Sequence, residues 1–476
     1  MAGQRGQKDL TMRVSLTFSE QQHNELARHL FPADGCEAVA ILLCGRASHG
    51  DSHRLLVRRI ELIPYEECSV RAPDQVTWST ERLLPLLAEA EKKGMAIVKI
   101  HGHRGFDRFS ETDDKSDREL FPSIHCWLEQ DLPHGSAILM DDGRCFGRTV
   151  DESGQFSSFT SVAIVGDDIK IFRSESGIQG TVPEFGRRVA QTFGQGTYET
   201  LANLRIGVVG CSGTGSPVVE QLARNCVGSL VLVDPDHIEF KNLNRIYNST
   251  KHDAEAGSAK VDVLSRAISA MGLSTLVETY ESTLFDRGVV KALSTCDVLV
   301  GCMDSVDGRF ALNKIASFYM IPYFDLGVRI DSDGKGGVDQ VCGSVHYVKP
   351  SGSSLLSRKL ITMEQVRVAG LQRTDHGEYK KLLDEGYIRG VQEDRPAVIQ
   401  LNTLIASIAV NELLARLHPY RIDPNGDFAI VRVSLSHSIY DHESDGAPCP
   451  VIGRHVGRGD VEPLLDMAEL SARFNQ

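Results

Sequence analysis

The stretch Arg205-Ile-Gly-Val-Val-Gly210-Cys-Ser-Gly213-Thr-Gly215-Ser-Pro217-Val-Val-Glu-Gln-Leu-Ala-Arg-Asn-Cys-Val227 passes from a short apolar run through a glycine-rich turn into helical spacing. Arg205–Val209 reads as a strand. Pro217–Val227 reads as a helix, with Val218, Leu222 and Cys226 on one stripe and Val219, Ala223 and Val227 beside it. Pro217 falls in the first turn, where a missing N–H costs nothing. Ser229–Val233 is the next strand and Asp297–Val300 a later one. Strand, helix and strand within a βαβ unit imply a parallel, doubly wound sheet. Glycines at the turn allow close approach of backbone to phosphate, and the helix N-terminus presents free N–H groups to an anion. Asp234 ends the second strand, where an acid can bind a ribose hydroxyl. The spacing is GxxGxG rather than GxGxxG, which argues against a nicotinamide-dependent oxidoreductase.

Outward from this core, Pro396–Leu417 reads as an amphipathic helix with Leu401, Leu404, Ile405, Ile408 and Leu413 as its buried stripe. Residues 351–395 are polar and suit a crossover segment on the surface. Upstream, Ala38–Cys44, Ala96–Ile100 and Ser136–Met140 are short apolar runs bounded by Gly, Asp or His, hence strands. Thr80–Lys93 has helical spacing, with Leu83, Leu84, Leu87 and Ala90 on one face. This first half reads as a mixed α+β domain. Asp151–Ser157 and Arg173–Gly180 are loops near a boundary, so domains of 12–175 and 180–476 are expected. No internal repeat or low-complexity tract is evident.

The order GCSGTGS, VLVDPDHIEFKNLNR, GSAK and GCMDS, over about residues 183–330, resembles the ubiquitin-activating enzymes and their bacterial relatives ThiF, MoeB and HesA. The resemblance implies a Rossmann-like adenylation domain. Gly210, Gly213, Gly215 and Asp234 would hold ATP, together with Asn242, Arg245 and Lys260. Asp304 would be the catalytic, Mg²⁺-binding acid. Phe185-Gly-Arg-Arg would supply Arg187 to the ATP of a partner subunit, implying a homodimer. Relatives often carry zinc on two CxxC pairs; here Ser354-Leu-Leu-Ser357 and Cys449-Pro-Val-Ile452 stand at those places, so no zinc is expected in this half. No cysteine lies between Cys342 and Cys449, where a thioester-forming cysteine would be expected. Cys211, Cys226, Cys296 and Cys302 read as core residues.

His101-Gly-His103 follows a strand directly, Ser110-Glu-Thr-Asp113 comes next, and Glu37 precedes the strand Ala38–Cys44. Two His at i, i+2 of an extended segment point the same way and can reach one metal, with Asp113 as a third ligand. Asp114 and Asp117 are nearby alternatives. Glu37 could take and deliver the proton of a zinc-activated water, and Ser110 could bond an oxyanion. The pattern resembles the JAB/JAMM zinc isopeptidases. That resemblance implies a JAB/MPN-like domain with His101, His103 and Asp113 on zinc, Glu37 as general acid/base and Ser110 as oxyanion group. Arg104 stands where the family usually has proline.

A formal net charge of −13 argues against coating nucleic acid or an anionic membrane. No apolar run is long enough to span a bilayer, and the N-terminal stretch lacks a signal-peptide core. The 11 cysteines show no disulfide framework, which points to a cytoplasmic protein with reduced thiols. The expectation is a bifunctional enzyme of a bacterial ubiquitin-like pathway. One half would adenylate the C-terminal glycine of a β-grasp partner with ATP and Mg²⁺; the other would cleave that partner with Zn²⁺. A separate conjugating enzyme could follow. The alternatives are an activator of a sulfur-carrier protein for cofactor or siderophore synthesis, and a scaffold with a degenerate JAB half.

Overall fold

A computed structural model describes residues 12–174, 181–385 and 398–472. The chain forms two compact units. The first takes in residues up to Ile164, the segment beginning at Ile171, and Gly457–Asp460. The second takes in Val165–Lys170, the main run ending at Val456, and the segment beginning at Val461. The expected boundary positions 175 and 180, and the chain end at 476, lie outside the described residues.

The first unit is built on β1 (Arg13–Ser19), α1 (Glu20–Leu30), β2 (Val39–His49), β3 (Ser52–Leu62), a separate hairpin of β4 (Cys68–Ala72) and β5 (Gln75–Trp78), α2 (Leu83–Lys93), β6 (Ala96–His103), α3 (Glu111–Leu128), β7 (His134–Met140), β8 (Cys145–Val150), β9 (Phe156–Ser158), β10 (Ser161–Val165) and β11 (Ile169–Arg173). A nine-stranded mixed sheet has the order β11-β10-β1-β3-β2-β6-β7-β8-β9. Its centre is covered on both faces, which is why β2 reads as an unbroken apolar run. Ala40, Leu42 and Cys44 face Leu26 and Leu30 of α1. Val39, Ile41 and Leu43 alternate to the other face, against Leu86 and Leu87 of α2 and Phe121 and Ile124 of α3.

Three expectations shift here. The helix expected over Thr80–Lys93 begins as α2 at Leu83, after a 3-10 turn over Thr80–Arg82. Its buried stripe is Leu83, Leu86, Leu87 and Ala90, whereas Leu84 is 48% exposed. That is the i, i+3, i+4, i+7 pattern, which leaves Leu84 on the outer face. The strand expected over Ala96–Ile100 runs on to His103, so both histidines are strand residues.

The second unit adds α4 (Arg187–Phe193), α5 (Gln195–Ala202), β12 (Arg205–Val209), α6 (Gly215–Arg224), β13 (Ser229–Val233), α7 (Lys251–Ala256), α8 (Lys260–Met271), β14 (Leu276–Tyr280), α9 (Arg287–Leu293), β15 (Val298–Gly301), α10 (Val306–Phe318), β16 (Tyr323–Ser332), β17 (Val338–Val348), α11 (Met363–Thr374), α12 (His376–Asp384), α13 (Ile399–Leu417), β18 (Ile430–Ser434) and β19 (Ile439–Glu443). The sheet order is β14-β13-β12-β15-β16-β17-β18-β19. β14 through β16 are parallel, and the last three pairings are antiparallel. A mixed α/β architecture with a parallel core is thus present.

The helix expected over Pro217–Val227 is α6, shifted toward the glycine turn. Gly215 and Ser216 are already helical, and Cys226 takes a left-handed φ of 63° that places it beyond the helix end. In α13, Leu401, Ile405 and Leu413 are buried, while Leu404 and Ile408 are half-buried. Pro396, and the crossover residues from 386 to 395, lie outside the described residues. No helix among the described residues is long and apolar enough to cross a membrane.

Candidate functional site

In the second unit, the carboxyl ends of three adjacent parallel strands converge. β12 leads into the glycine turn, β13 into Asp234, and β15 into Asp304. Such an edge, where neighbouring strands connect in opposite directions, is where open α/β sheets bind ligands. Gly210 has φ 90°, and a Cβ there would lie 2.8 Å from the Cys302 carbonyl oxygen. A Cβ on Gly215 would lie 1.8 Å from the Gly210 carbonyl oxygen, so no side chain fits. A Cβ on Gly213 would meet Asn402 Nδ2 at 2.4 Å and Arg245 Cδ at 3.1 Å.

Asp234 is buried and anchors the turn. Its Oδ2 accepts the Cys211 N–H at 2.6 Å and its Oδ1 accepts the Asp236 N–H at 2.9 Å. Burial raises its carboxyl pKa, against the pull of the neighbouring Lys260 and of these amides. Lys260, at the start of α8, is also buried. Its Nζ donates to Asp236 Oδ2 at 2.7 Å and stands 3.7 Å from Asp234 Oδ1. Asn242 is buried, and its Oδ1 accepts the Glu239 N–H at 3.0 Å, closing the turn that carries Arg245. Arg245 Nη1 donates to the Lys241 carbonyl at 2.6 Å. Arg187, the first residue of α4, is exposed.

Asp304 is exposed just beyond β15. A carboxylate at this edge is a hard oxygen donor of the type magnesium prefers. One helical turn on, Arg309 is held by Asp325, with Nε donating to Oδ1 at 3.0 Å. Asp325 is fully buried and also accepts the Tyr323 hydroxyl at 2.6 Å. Burial works against the Arg309 cation, but Asp325, with Tyr323 and Asp304, more than offsets it and raises the guanidinium pKa. Sequence reasoning passed over Arg309, Asp325 and Asn402. Two signals were present: a lone Asp inside the apolar run Ile321–Val328, and a lone Asn inside the buried stripe of α13.

The four positions compared with a zinc knuckle are joined by hydrogen bonds. Ser354 N–H donates to Ser357 Oγ at 2.9 Å, Ser357 N–H to Ser354 Oγ at 3.2 Å, and Ile452 N–H to Cys449 Sγ at 3.5 Å. Burial raises the Cys449 thiol, yet bonds with Ser354, the amides of Ile452 and Val451, and Ser357 bring it below the usual range. Cys211, Cys226 and Cys296 are buried; Cys302 is half-buried.

In the first unit, the i, i+2 spacing on β6 puts both imidazoles on one face. His101 Nε2 lies 3.0 Å from His103 Nε2 and 3.0 Å from Asp113 Oδ1. His103 Nε2 lies 3.6 Å from Asp113 Oδ2 and 3.8 Å from Glu37 Oε1. Among the described residues, His101, His103 and Asp113 form a group able to hold a metal ion. Tetrahedral zinc with bonds of about 2.1 Å needs ligand atoms about 3.4 Å apart, and these spacings bracket that value. The donor set of two imidazoles and one carboxylate suits zinc. His103 Nδ1 lies 2.9 Å from the Phe106 carbonyl; a bond there orients the ring and leaves Nε2 as a ligand.

Ser110 sits at the N-cap of α3. Its hydroxyl donates to Asp113 Oδ2 at 2.7 Å, and its Oγ accepts the Asp113 N–H at 3.1 Å. In this structure the hydroxyl therefore orients Asp113. Asp113 is held below the ordinary carboxyl range: burial opposes this, but bonding to His101 and Ser110 outweighs it. Glu37 moves the other way, to about 8, through burial and then through the charges of Asp113 and Asp74. The alternatives Asp114 and Asp117 are engaged elsewhere. Arg148 Nη1 donates to Asp114 Oδ1 at 2.5 Å and its Nη2 to Asp117 Oδ2 at 2.7 Å, while Lys99 Nζ lies 2.5 Å from Asp117 Oδ1.

The chain is similar in part to several known proteins. Ubiquitin-like modifier-activating enzyme 5 of Drosophila mojavensis is 24% identical over 191 residues, covering 37% of this chain and 45% of the relative. The Aedes aegypti enzyme of the same name is 22% identical over 244 residues, covering 48% of this chain and 59% of the relative. The chain thus spans less than two thirds of the curated relatives it matches. Among solved structures, E. coli MccB with ATP has a TM-score of 0.43 and 18% identity, covering 56% of this chain and 73% of that one. PaaA has a TM-score of 0.41 and 20% identity, covering 57% and 86%. The ThiF family profile matches residues 185–436, which hold the glycine turn, Asp234, Lys260 and Asp304 and make up more than half of the sequence, and the chain belongs to the ThiF family.

Proposed function

We propose that the chain is an ATP-dependent adenylyltransferase for the C-terminal glycine of a small ubiquitin-like or sulfur-carrier β-grasp protein, joined to a zinc-dependent peptidase of JAB/JAMM type that cleaves the same protein from a precursor or target. One observation carries the first activity: the glycine turn, Asp234 and Asp304 occupy the carboxyl ends of three adjacent parallel strands.

In that reading, Gly210, Gly213 and Gly215 admit the triphosphate against backbone N–H groups at the start of α6. Asp234 takes the ribose hydroxyls. Lys260 and Arg245 neutralise phosphate charge, with Asn242 holding the turn between them. Magnesium on Asp304 would screen the phosphate oxygens. The partner's C-terminal carboxylate, already ionised, attacks the α-phosphorus; the bond to the bridging oxygen breaks, leaving an acyl-adenylate and pyrophosphate. No general base is required. Arg187 would serve the nucleotide of a second subunit in a homodimer.

In the first unit, zinc on His101, His103 and Asp113 would supply Lewis acidity toward an amide carbonyl. Glu37, close to His103 and with its pKa raised to about 8, would hold and deliver a proton. Ser110 would fix Asp113, and would bond an oxyanion only on turning its hydroxyl away from that carboxylate. The cytoplasm is the compartment proposed, and a conjugating enzyme would take over the activated partner.

The test is ATP–pyrophosphate exchange by the purified chain with β-grasp proteins ending in glycine, with zinc content measured on the same sample. Exchange that depends on the terminal glycine, with about one zinc per chain, is expected. No exchange with any such protein, together with no zinc, would overturn the proposal in favour of a scaffold.

A further inference from the structure

α11 carries a side chain that reaches the segment bearing Asp304. Arg373 Nε donates to Asp307 Oδ2 at 3.0 Å. The rest of the guanidinium forks onto Glu469, with Nη1 to Oε2 at 2.8 Å and Nη2 to Oε1 at 3.3 Å. Its Cζ lies 3.3 Å from the centre of the Phe285 ring. Glu469 is itself on a tethered stretch: Arg287 Nη1 donates to the Leu470 carbonyl at 2.7 Å, and Arg287 pairs with Glu462 at 2.9 Å. Arg373 is therefore fixed from two sides before it meets Asp307.

Asp307 lies in the first turn of α10, three residues after Asp304, and is buried. The helix start packs closely on the residues before it. A Cβ on Gly308 would lie 2.4 Å from Ser305 Oγ and 3.1 Å from Met303 Sδ. Asp307 Oδ1 also accepts the Gly308 N–H at 2.9 Å. Asp307 and the Met303 and Ser305 side chains thus meet around Gly308. A planar fork on two carboxylates and a ring face is a geometry that lysine cannot reproduce.

We propose that Arg373 is a positioning residue for the adenylation centre: by holding Asp307 it fixes the segment that presents Asp304. The role of Asp304 rests on the adenylation reading above; the clamp itself does not. It follows that displacement of α11 changes magnesium and phosphate placement without touching the glycine turn.

The experiment uses the full chain, with Arg373→Met and Arg373→Lys. Amide hydrogen exchange over Met303–Gly308 is expected to speed up about tenfold or more in Arg373→Met and less in Arg373→Lys. In pyrophosphate exchange, kcat should fall about tenfold and the magnesium requirement should rise, with KM for ATP within about twofold of the parent. Arg373→Lys is read the same way if Arg373→Met does not fold. Faster amide exchange confined to Met363–Thr374, with Met303–Gly308 unchanged, would overturn the clamp. A parent chain with no pyrophosphate exchange would overturn the adenylation reading, while amide exchange still decides the clamp.

Discussion

Ser110 and Asp113 hold each other: the serine hydroxyl donates to the aspartate Oδ2 at 2.7 Å, and the aspartate N–H returns to the serine Oγ at 3.1 Å. The pair both starts α3 and aims the carboxylate at His101. Ser110→Ala should cost about 1 kcal/mol of stability as a lost N-cap. If Asp113 ligates zinc as proposed, the change should also weaken zinc about tenfold, as loss of a bond to a ligating carboxylate does. Competition with a chromophoric chelator measures the affinity. Unchanged zinc binding would mean that the backbone alone orients Asp113.

Glu37 stands 3.8 Å from His103 and outside the ligand group. On the proposed peptidase reading, Glu37→Gln should therefore keep zinc while lowering cleavage by about 10²–10⁴, the range for loss of a general acid/base. Zinc content and peptidase assays on one preparation separate the two effects. Loss of zinc along with activity would make Glu37 a ligand instead.

The glycine turn admits no side chain at Gly215, where a Cβ would stand 1.8 Å from the Gly210 carbonyl oxygen. Gly215→Ala must displace backbone, so nucleotide binding should be lost. Asp304→Asn leaves the turn intact; ATP binding should persist while pyrophosphate exchange falls about 10²-fold or more. Calorimetry with ATP, run beside the exchange assay, distinguishes the two variants. Equal loss of ATP binding in both would place Asp304 in nucleotide binding rather than in the chemical step.

Much of this was legible because it is local. The glycine turn, Asp234 and the His101/His103 pair lie on or next to single strands, and spacing alone decides which way they point. The roles of Asp114 and Asp117 were not legible, because their partner Arg148 comes from β8, 34 and 31 residues away. Asp325 was hidden in part for the same reason: its partner Arg309 is set by how α10 lies on β16, while Tyr323 is its i−2 neighbour on the same strand. Ser110 carries two signals at once. Its Ser-x-x-Asp spacing is a capping signal as much as a catalytic one, and the hydroxyl is spent on Asp113.

His346 sits opposite Asp325 across β16 and β17 and is 1% exposed. Burial, then the charges of Arg358, Arg309 and Arg432, lower its pKa from 6.5 to about 3. Only Ser344 Oγ, 3.1 Å from Nε2, offers it a hydrogen bond among the side chains described. A histidine with a lowered folded pKa supports the fold above its unfolded pKa and loses that support as pH falls toward the folded value. Stability should therefore decline from about pH 6.5 downward. In His346→Gln the decline should be shallower between about pH 7 and about pH 5, measured by denaturant titration at each pH. Parallel curves for parent and variant would remove His346 from the acid response.

Asp117 is fully buried between Lys99 and Arg148, and Arg148 also packs over Phe109 and Phe156 at 3.7 Å from each ring centre. Asp117→Asn leaves buried Lys99 facing a neutral amide and leaves Arg148 with Asp114 as its remaining carboxylate. Breaking a buried pair in this way costs about 3–5 kcal/mol, far more than an exposed pair would. The cost should be accompanied by weaker zinc binding, because the same ion pairs seat α3, whose first turn carries Asp113. Arg148→Met removes a cation and packs its chain against the same rings, so it should cost less in stability than Asp117→Asn. Denaturant unfolding of both variants, with zinc affinity measured on each, checks the order. A smaller loss in Asp117→Asn than in Arg148→Met would show that the stacking on Phe109 and Phe156, rather than the charge pairing, seats the helix.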